Sequence, residues 1–265
     1  APILALIAGS FLCSAAFGLT PQEEWKAGIA DANDAWAKRP HAILKIQDSA
    51  YLRDGDTAVL QGAKGQPGTY HWSHDPNAKG ALLVSLRGGK ISAVKDGKSI
   101  SPGDLMKSIP IDTDVDVDGQ PTQVDANVMG WRIFVFNQKN PDAANFKGVS
   151  YFPYDPAYRV TATFTPDPKR PPHVFRTSRG TDKAFFHVGD AHFTLQGKPI
   201  ALPFYAGSSD PKEITDMSAF FTDDLTGKGA YGAGRYVDIG GFGAYPPKSV
   251  TIDFNDAYNP NCARS

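Results

Sequence analysis

Two periodicities divide the chain. Trp25, Ile29, Ala32 and Trp36 recur at steps of three and four, the spacing of one face of an amphipathic helix. Thr20-Pro21-Gln22-Glu23 opens it with a hydroxyl at the cap, a proline in the first helical position and an acid completing a capping box. Pro40 lacks the amide that a helix interior needs and stops it, so a helix is expected within 19–42. From Leu44 onward the apolar positions fall into shorter runs. Thr57–Leu60, Thr69–Trp72, Ala81–Leu86 and Ile91–Val94 are cut by glycines and by Asp96-Gly97, the punctuation of an antiparallel meander.

The same pattern continues downstream. Trp131 to Phe136 is a strong strand, and Val149 to Phe152 reads as a shorter one. Between Tyr158 and Thr165 the alternation is clean: Tyr158, Val160, Ala162 and Phe164 face one way, Arg159 and the threonines the other. Ala184–Asp190 and Ala191–Leu195 read as two strands joined about Gly189-Asp190, and Pro199–Tyr205 as another. The proline-rich stretch Pro166–Pro172 is a surface connection and the best candidate for an internal boundary. The fold class expected is mainly β, an antiparallel barrel or sandwich. One β-rich domain covers 43–265, with the N-terminal amphipathic helix packed on it.

Composition supports this reading. With 26 Gly, 21 Pro, 16 Phe and 10 Tyr among 265 residues, turns and aromatic strand formers outweigh helix formers. Lys plus Arg (27) balances Asp plus Glu (28), so no electrostatic pull toward nucleic acid is expected. Pro2–Gly18 is apolar and uncharged, but shorter than the roughly 20 residues that cross a bilayer. Small residues close it at Ser14-Ala15-Ala16. Residues 1–18 therefore read as an export signal, the protein as secreted or periplasmic, with no stable membrane span after signal removal. Removing them takes away Cys13 and leaves Cys262 unpaired, so no disulfide framework is expected.

Candidate chemistry is sparse. Asp114, Asp116 and Asp118 followed by Gly119 imitate the first half of a calcium loop. Pro121 falls inside that loop and the bidentate Glu is missing, so a hairpin turning at Asp118-Gly119 is the better reading and no metal site is expected. His187 and His192 would approach across a hairpin tipped by Asp190, giving an acid–base cluster. In the last third, Arg235 offers a planar fork suited to Asp253 on a neighbouring strand, with Asn255 and Tyr258 beside it. Asn259-Pro260 makes a turn in which the Asn amide holds its own backbone. Asp223 and Asp224 could bring one more carboxylate. No G-x-S-x-G, H-E-x-x-H or C-x-x-C run occurs, and Gly232-Ala233-Gly234 lacks the Lys-Ser/Thr ending of a phosphate loop. No cofactor is therefore expected.

Several of these runs carry a resemblance. Asp118-Gly119-Gln120-Pro121-Thr122, Phe146-Lys147-Gly148 and the segment Tyr151–Val160 are similar to successive landmarks of the DUF1684 family. So are Phe221-Thr222-Asp223-Asp224, Tyr231–Tyr236 and Asp253–Pro260, and the helix with Trp25 and Trp36 resembles the family's opening. The likeness runs from about Trp25 to Cys262. Gly229 and Ala230 depart from it, standing where family members carry an acid and a Thr. The family is one of unknown function, so the resemblance implies a fold and a site location and names no chemistry.

Two functions follow as expectations. The first is binding of a small polar molecule, a sugar or a carboxylate, by Arg235, Tyr236, Asn255, Tyr258 and Asn259, with Asp253 among them. The second is a hydrolase or lyase using Asp224 or Asp253 as general base, assisted by His187 or His192. The remaining possibility is a polar network that only ties the last strands together.

Overall fold

In the computed structural model the structure describes residues 18–126, 128–176 and 182–259. Cys13, Cys262, Pro260 and nearly all of the expected export signal lie outside them. Helix α1 spans Pro21–Ala37. Its capping box forms as the sequence predicts, the Glu23 carboxylate accepting from Thr20 N at 2.7 Å and Thr20 Oγ1 accepting from Glu23 N at 3.3 Å. The chain is mainly β and antiparallel, in two compact units that part within α1 and again at Val149. The stretch 43–265, expected as one domain, is thus shared between them. Pro166–Pro172, the expected boundary, lies inside the second unit.

The N-terminal unit, Ala30–Val149, holds nine strands: β1 (Ile46–Leu52), β2 (Thr57–Gln61), β3 (His71–Ser73), β4 (Leu82–Arg87), β5 (Lys90–Lys95), β6 (Lys98–Ile100), β7 (Ile109–Asp112), β8 (Val115–Asp125) and β9 (Val128–Asn137). Short helices α2 (Pro102–Leu105) and α3 (Pro141–Ala144) join them. One sheet runs β3-β2-β4-β5-β6 and the other β1-β9-β8-β7. Leu60, Leu82 and Val84 of the first share one core with Leu52, Val117 and Ile133 of the second, as in a sandwich. The hairpin expected at Asp118-Gly119 turns instead at Thr113-Asp114, where Asp114 adopts φ 64°. Asp118-Gly119 sits in mid-strand opposite Phe134 and Ile133. A Cβ on Gly119 would lie 3.1 Å from Ile133 and 3.2 Å from Leu105, so glycine serves close packing there rather than a turn.

The C-terminal unit takes the described residues up to Ile29 and those from Ser150 onward. Its strands are β10 (Arg159–Pro166), β11 (Pro172–Arg176), β12 (Asp182–Leu195), β13 (Lys198–Ala206), β14 (Asp216–Phe221), β15 (Arg235–Gly240) and β16 (Ser249–Asp253). They form a single sheet ordered β15-β14-β13-β12-β10-β16, with β11 on the flank of β12. The two end strands then meet. Tyr236 of β15 and Tyr258, just past β16, exchange two backbone hydrogen bonds of 2.9 Å, which nearly closes the sheet into a barrel. Phe204, Met217 and Ile252, all fully buried, fill its interior.

Two expected strands change here. Val149–Phe152 is irregular, in a segment where Pro153 and Pro156 cannot donate to a ladder. The two strands expected around Gly189-Asp190 are one 14-residue strand, β12, carrying a bulge between His187 and Gly189. Its hairpin turn lies further on, at Gln196-Gly197, both at positive φ (51° and 77°), the conformation of a type I′ turn. The helix packs as expected on this unit: Trp25 Nε1 donates to the Asn255 carbonyl at 3.0 Å, and its ring meets Tyr151 and Tyr154.

Candidate functional site

The polar residues singled out in the sequence gather around the closing seam of the C-terminal barrel, but they do not form one pocket. Arg235 was expected to meet Asp253. Instead Arg159, directly opposite Asp253 in the β10–β16 ladder, holds it at 3.0 Å. The Asp253 side chain is only 6% exposed, so its charge depends on that guanidinium. Asp253 also caps the 3-10 turn Phe254–Asp256, accepting from Asn255 N at 3.0 Å and Asn255 Nδ2 at 2.7 Å. Asn255 in turn clasps Asp155, donating to its carbonyl and accepting from its amide, both at 2.9 Å. Asp256 keeps part of its surface in water. The protein packed around its carboxyl, and then the Asp253 charge, still push it up to about 6.

Arg235 pairs with Asp223, its neighbour across the loop between β14 and β15. Burial works to raise Asp223, but the Arg235 hydrogen bond and charge win and hold that carboxyl below the ordinary range. A turn fixes Asp223 as well: its carboxylate accepts from Leu225 N at 3.0 Å, and its amide donates to Thr226 Oγ1 at 2.9 Å. Asp224, the next residue, is exposed. Asn259 does not hold its own backbone; its side-chain oxygen accepts from Tyr231 N at 3.2 Å.

Tyr236 follows Arg235 on β15 and therefore faces the opposite side of the sheet. Its ring, 4.6 Å from Phe220 and 5.8 Å from Tyr258, belongs to the outer face of the barrel. That face carries a continuous run of half-buried aromatic rings. Phe220 stacks on Tyr205 at 5.7 Å and meets Phe175 at 4.9 Å and Phe185 at 5.6 Å. At its edge a carboxylate is shared: Ser218 Oγ donates to Asp238 at 2.6 Å and Tyr258 Oη to the same carboxylate at 2.7 Å. Burial, then the Asp238 charge, raises Tyr258 strongly, so its hydroxyl stays a donor. The same two causes raise the neighbouring Asp216.

His187 and His192 do not approach one another. His192 is exposed, opposite Thr163 and Ala201. His187 and Asp190, three apart, would point to opposite faces of a regular strand. The bulge between them adds one residue and brings them together, with His187 Nε2 3.3 Å from Asp190. Nδ1 lies 3.0 Å from Asp167, a residue that sequence reasoning missed. Asp167 opens the proline-rich connection, where it accepts from Lys169 N at 2.8 Å. That backbone hydrogen bond, followed by the one to His187, lowers its carboxyl. An Asx turn read at Asp167-Pro168-Lys169 was the one local signal available. The ring of His187 also lies 5.6 Å from Tyr205, on the aromatic face. Among the described residues no group of His, Cys, Asp and Glu is arranged to hold a metal ion.

Residues 144–265 match the family described as protein of unknown function DUF1684. The match covers the Phe146, Tyr151–Val160, Phe221, Tyr231 and Asp253 runs; Trp25, Trp36 and the Asp118 run lie before it. No curated protein matches the chain. Among solved structures, it is similar to the solution NMR structure of an uncharacterized protein of Haloarcula marismortui. The two are 32% identical over 47% of this chain and 67% of the other, with a TM-score of 0.41.

Proposed function

As the chain belongs to the DUF1684 family, for which no activity is known, we propose a role from its own surface. The protein binds a small polyhydroxylated molecule, a sugar or sugar-like ligand, on the outer face of the C-terminal barrel. One observation carries this reading: the half-buried rings of Tyr205, Phe220 and Tyr236 share a face with the Ser218–Asp238–Tyr258 hydrogen-bonded group. Rings offer flat apolar area to the C–H face of a sugar. A carboxylate has about four acceptor positions, and Ser218 and Tyr258 occupy two, leaving room for ligand hydroxyls. Asp216 and Asp238 on that face would repel a carboxylate ligand, so a neutral polyol fits better there. With residues 1–18 read as an export signal, the binding takes place in the periplasm or outside the cell.

Calorimetric titration with a panel of mono- and disaccharides tests this. Tyr236→Ala and Asp238→Asn should each weaken binding about tenfold or more, near 1.4 kcal/mol. A folded Tyr236→Ala protein that binds like the parent, or a panel without heat, overturns the reading. The hydrolase or lyase alternative now rests on His187, set between Asp167 and Asp190 beside Tyr205, because Asp253 is committed to Arg159. Turnover of a bound sugar that His187→Gln abolishes, with affinity kept, would favour it.

A further inference from the structure

We propose a second binding site, at the end of the C-terminal barrel where β14 stops and β15 begins. It takes the carboxylate of a small amphipathic molecule against Arg235. The site is independent of the outer-face reading, since Arg235 and Tyr236 point to opposite sides of β15.

Three features support it. The guanidinium is under-used: Nη2 meets Asp223, while Nε is sealed from solvent with no hydrogen-bond partner. A buried donor left without a partner is costly, and a planar fork is shaped to give two parallel bonds to a carboxylate. The group is also poised over apolar surface. Its carbon lies 5.4 Å from the Phe221 ring centre, Phe221 meets Phe254 at 5.5 Å, and Phe254 meets Phe193 at 5.8 Å. Finally, strand register brings further apolar residues to the same end. Val160 starts β10, Leu195 ends β12 and Ile200 starts β13, all only partly buried against the core. One guanidinium ringed by partly covered apolar side chains selects a molecule with a carboxylate head and a short apolar or aromatic tail.

Asp223 occupies one edge of the fork and the ligand would take the other. Removing the Asp223 charge should therefore tighten binding, because two carboxylates around one guanidinium repel each other.

The test uses the full chain and four probes: hexanoate, phenylacetate, acetate and neutral hexanol. Hexanoate and phenylacetate should raise the melting temperature and give saturable titrations; acetate (no tail) and hexanol (no charge) should not. Asp223→Asn should bind hexanoate several-fold more tightly, and Arg235→Gln should lose it. Arg235→Lys, which keeps the charge and loses the fork, should weaken it about tenfold, and serves if Arg235→Gln does not fold. Tyr236→Ala should leave hexanoate binding unchanged, separating this site from the outer face. Hexanol binding as well as hexanoate, no response to either tailed acid, or full affinity in folded Arg235→Lys would overturn the proposal.

Discussion

The two units bury apolar surface by different means. In the N-terminal unit two sheets face each other across one core, and each sheet keeps its own edges. In the C-terminal unit one sheet curls until its end strands meet at Tyr236 and Tyr258. A sandwich needs no special join, because side chains from both faces simply interdigitate. A sheet closed on itself needs a seam, and its unpaired edges must be tied. The polar side chains follow that difference. In the N-terminal unit they are dispersed, as in His41 on Asp118 at 2.9 Å or Lys139 on Asp114 at 2.5 Å. In the C-terminal unit Arg159–Asp253, Asn255–Asp155, Tyr258–Asp238 and Asn259–Tyr231 all flank the join. The runs that resemble the DUF1684 landmarks are in large part this seam.

If the seam matters as much as a packed core, breaking it should cost as much. Arg159→Ala leaves the buried Asp253 carboxylate without its partner, an expected loss of about 3–5 kcal/mol. Leu60→Ala, at a fully buried position of the N-terminal sandwich, should cost about 2–5 kcal/mol. Urea unfolding of both compares them directly. A loss near zero for Arg159→Ala would make the seam an ornament on a barrel that its core alone holds.

A smaller effect is expected at the bulge. A Cβ on Gly189 would meet the Thr165 carbonyl oxygen at 2.4 Å and the Phe164 ring at 2.6 Å. Gly189→Ala should destabilise by about 1–3 kcal/mol. It should also separate His187 from Asp190, visible as a change in the His187 ring resonances. An unperturbed ring would mean the bulge does not set that contact.

The smallest difference is in pH dependence. Hydrogen bonding to Asp118 raises His41 above 6.5, against the opposing effect of burial. The folded state then holds the His41 proton more tightly than the unfolded chain. That contribution is complete below 6.5 and fades as pH rises through the elevated folded value. Asp256 in the C-terminal unit is also raised, from 3.8 to about 6. Its effect has the same sign but an earlier window: stability is highest below 3.8 and declines as pH climbs through about 6. His41→Gln should flatten the stability profile above pH 6.5, Asp256→Asn that between 3.8 and about 6. Denaturant titrations across pH check both; a profile identical to the parent's in either variant removes that residue from the account.

Much of the fold was legible beforehand. The period of two from Tyr158 to Thr165 predicts one buried face, and Ala162 and Phe164 are buried as it requires. The helix cap was equally readable, because its bonds join residues three apart. The site was read less well. Glycine beside aspartate looked like a turn at Asp118-Gly119 and at Gly189-Asp190. In both places the small residue admits a close neighbour from another strand or helix. Asp167 escaped notice because a proline-rich connection shows no period to follow.

The amino-acid order alone determined the type of each element, its apolar side and its caps. Those depend on hydrogen bonds and side-chain spacing over a handful of residues. Folding in three dimensions decided which carboxylate each arginine meets, which tyrosines look outward and where the sheet joins itself. Arg159 and Asp253 stand 94 residues apart, and a charge responds to distance through space, which strand order sets and local pattern does not record.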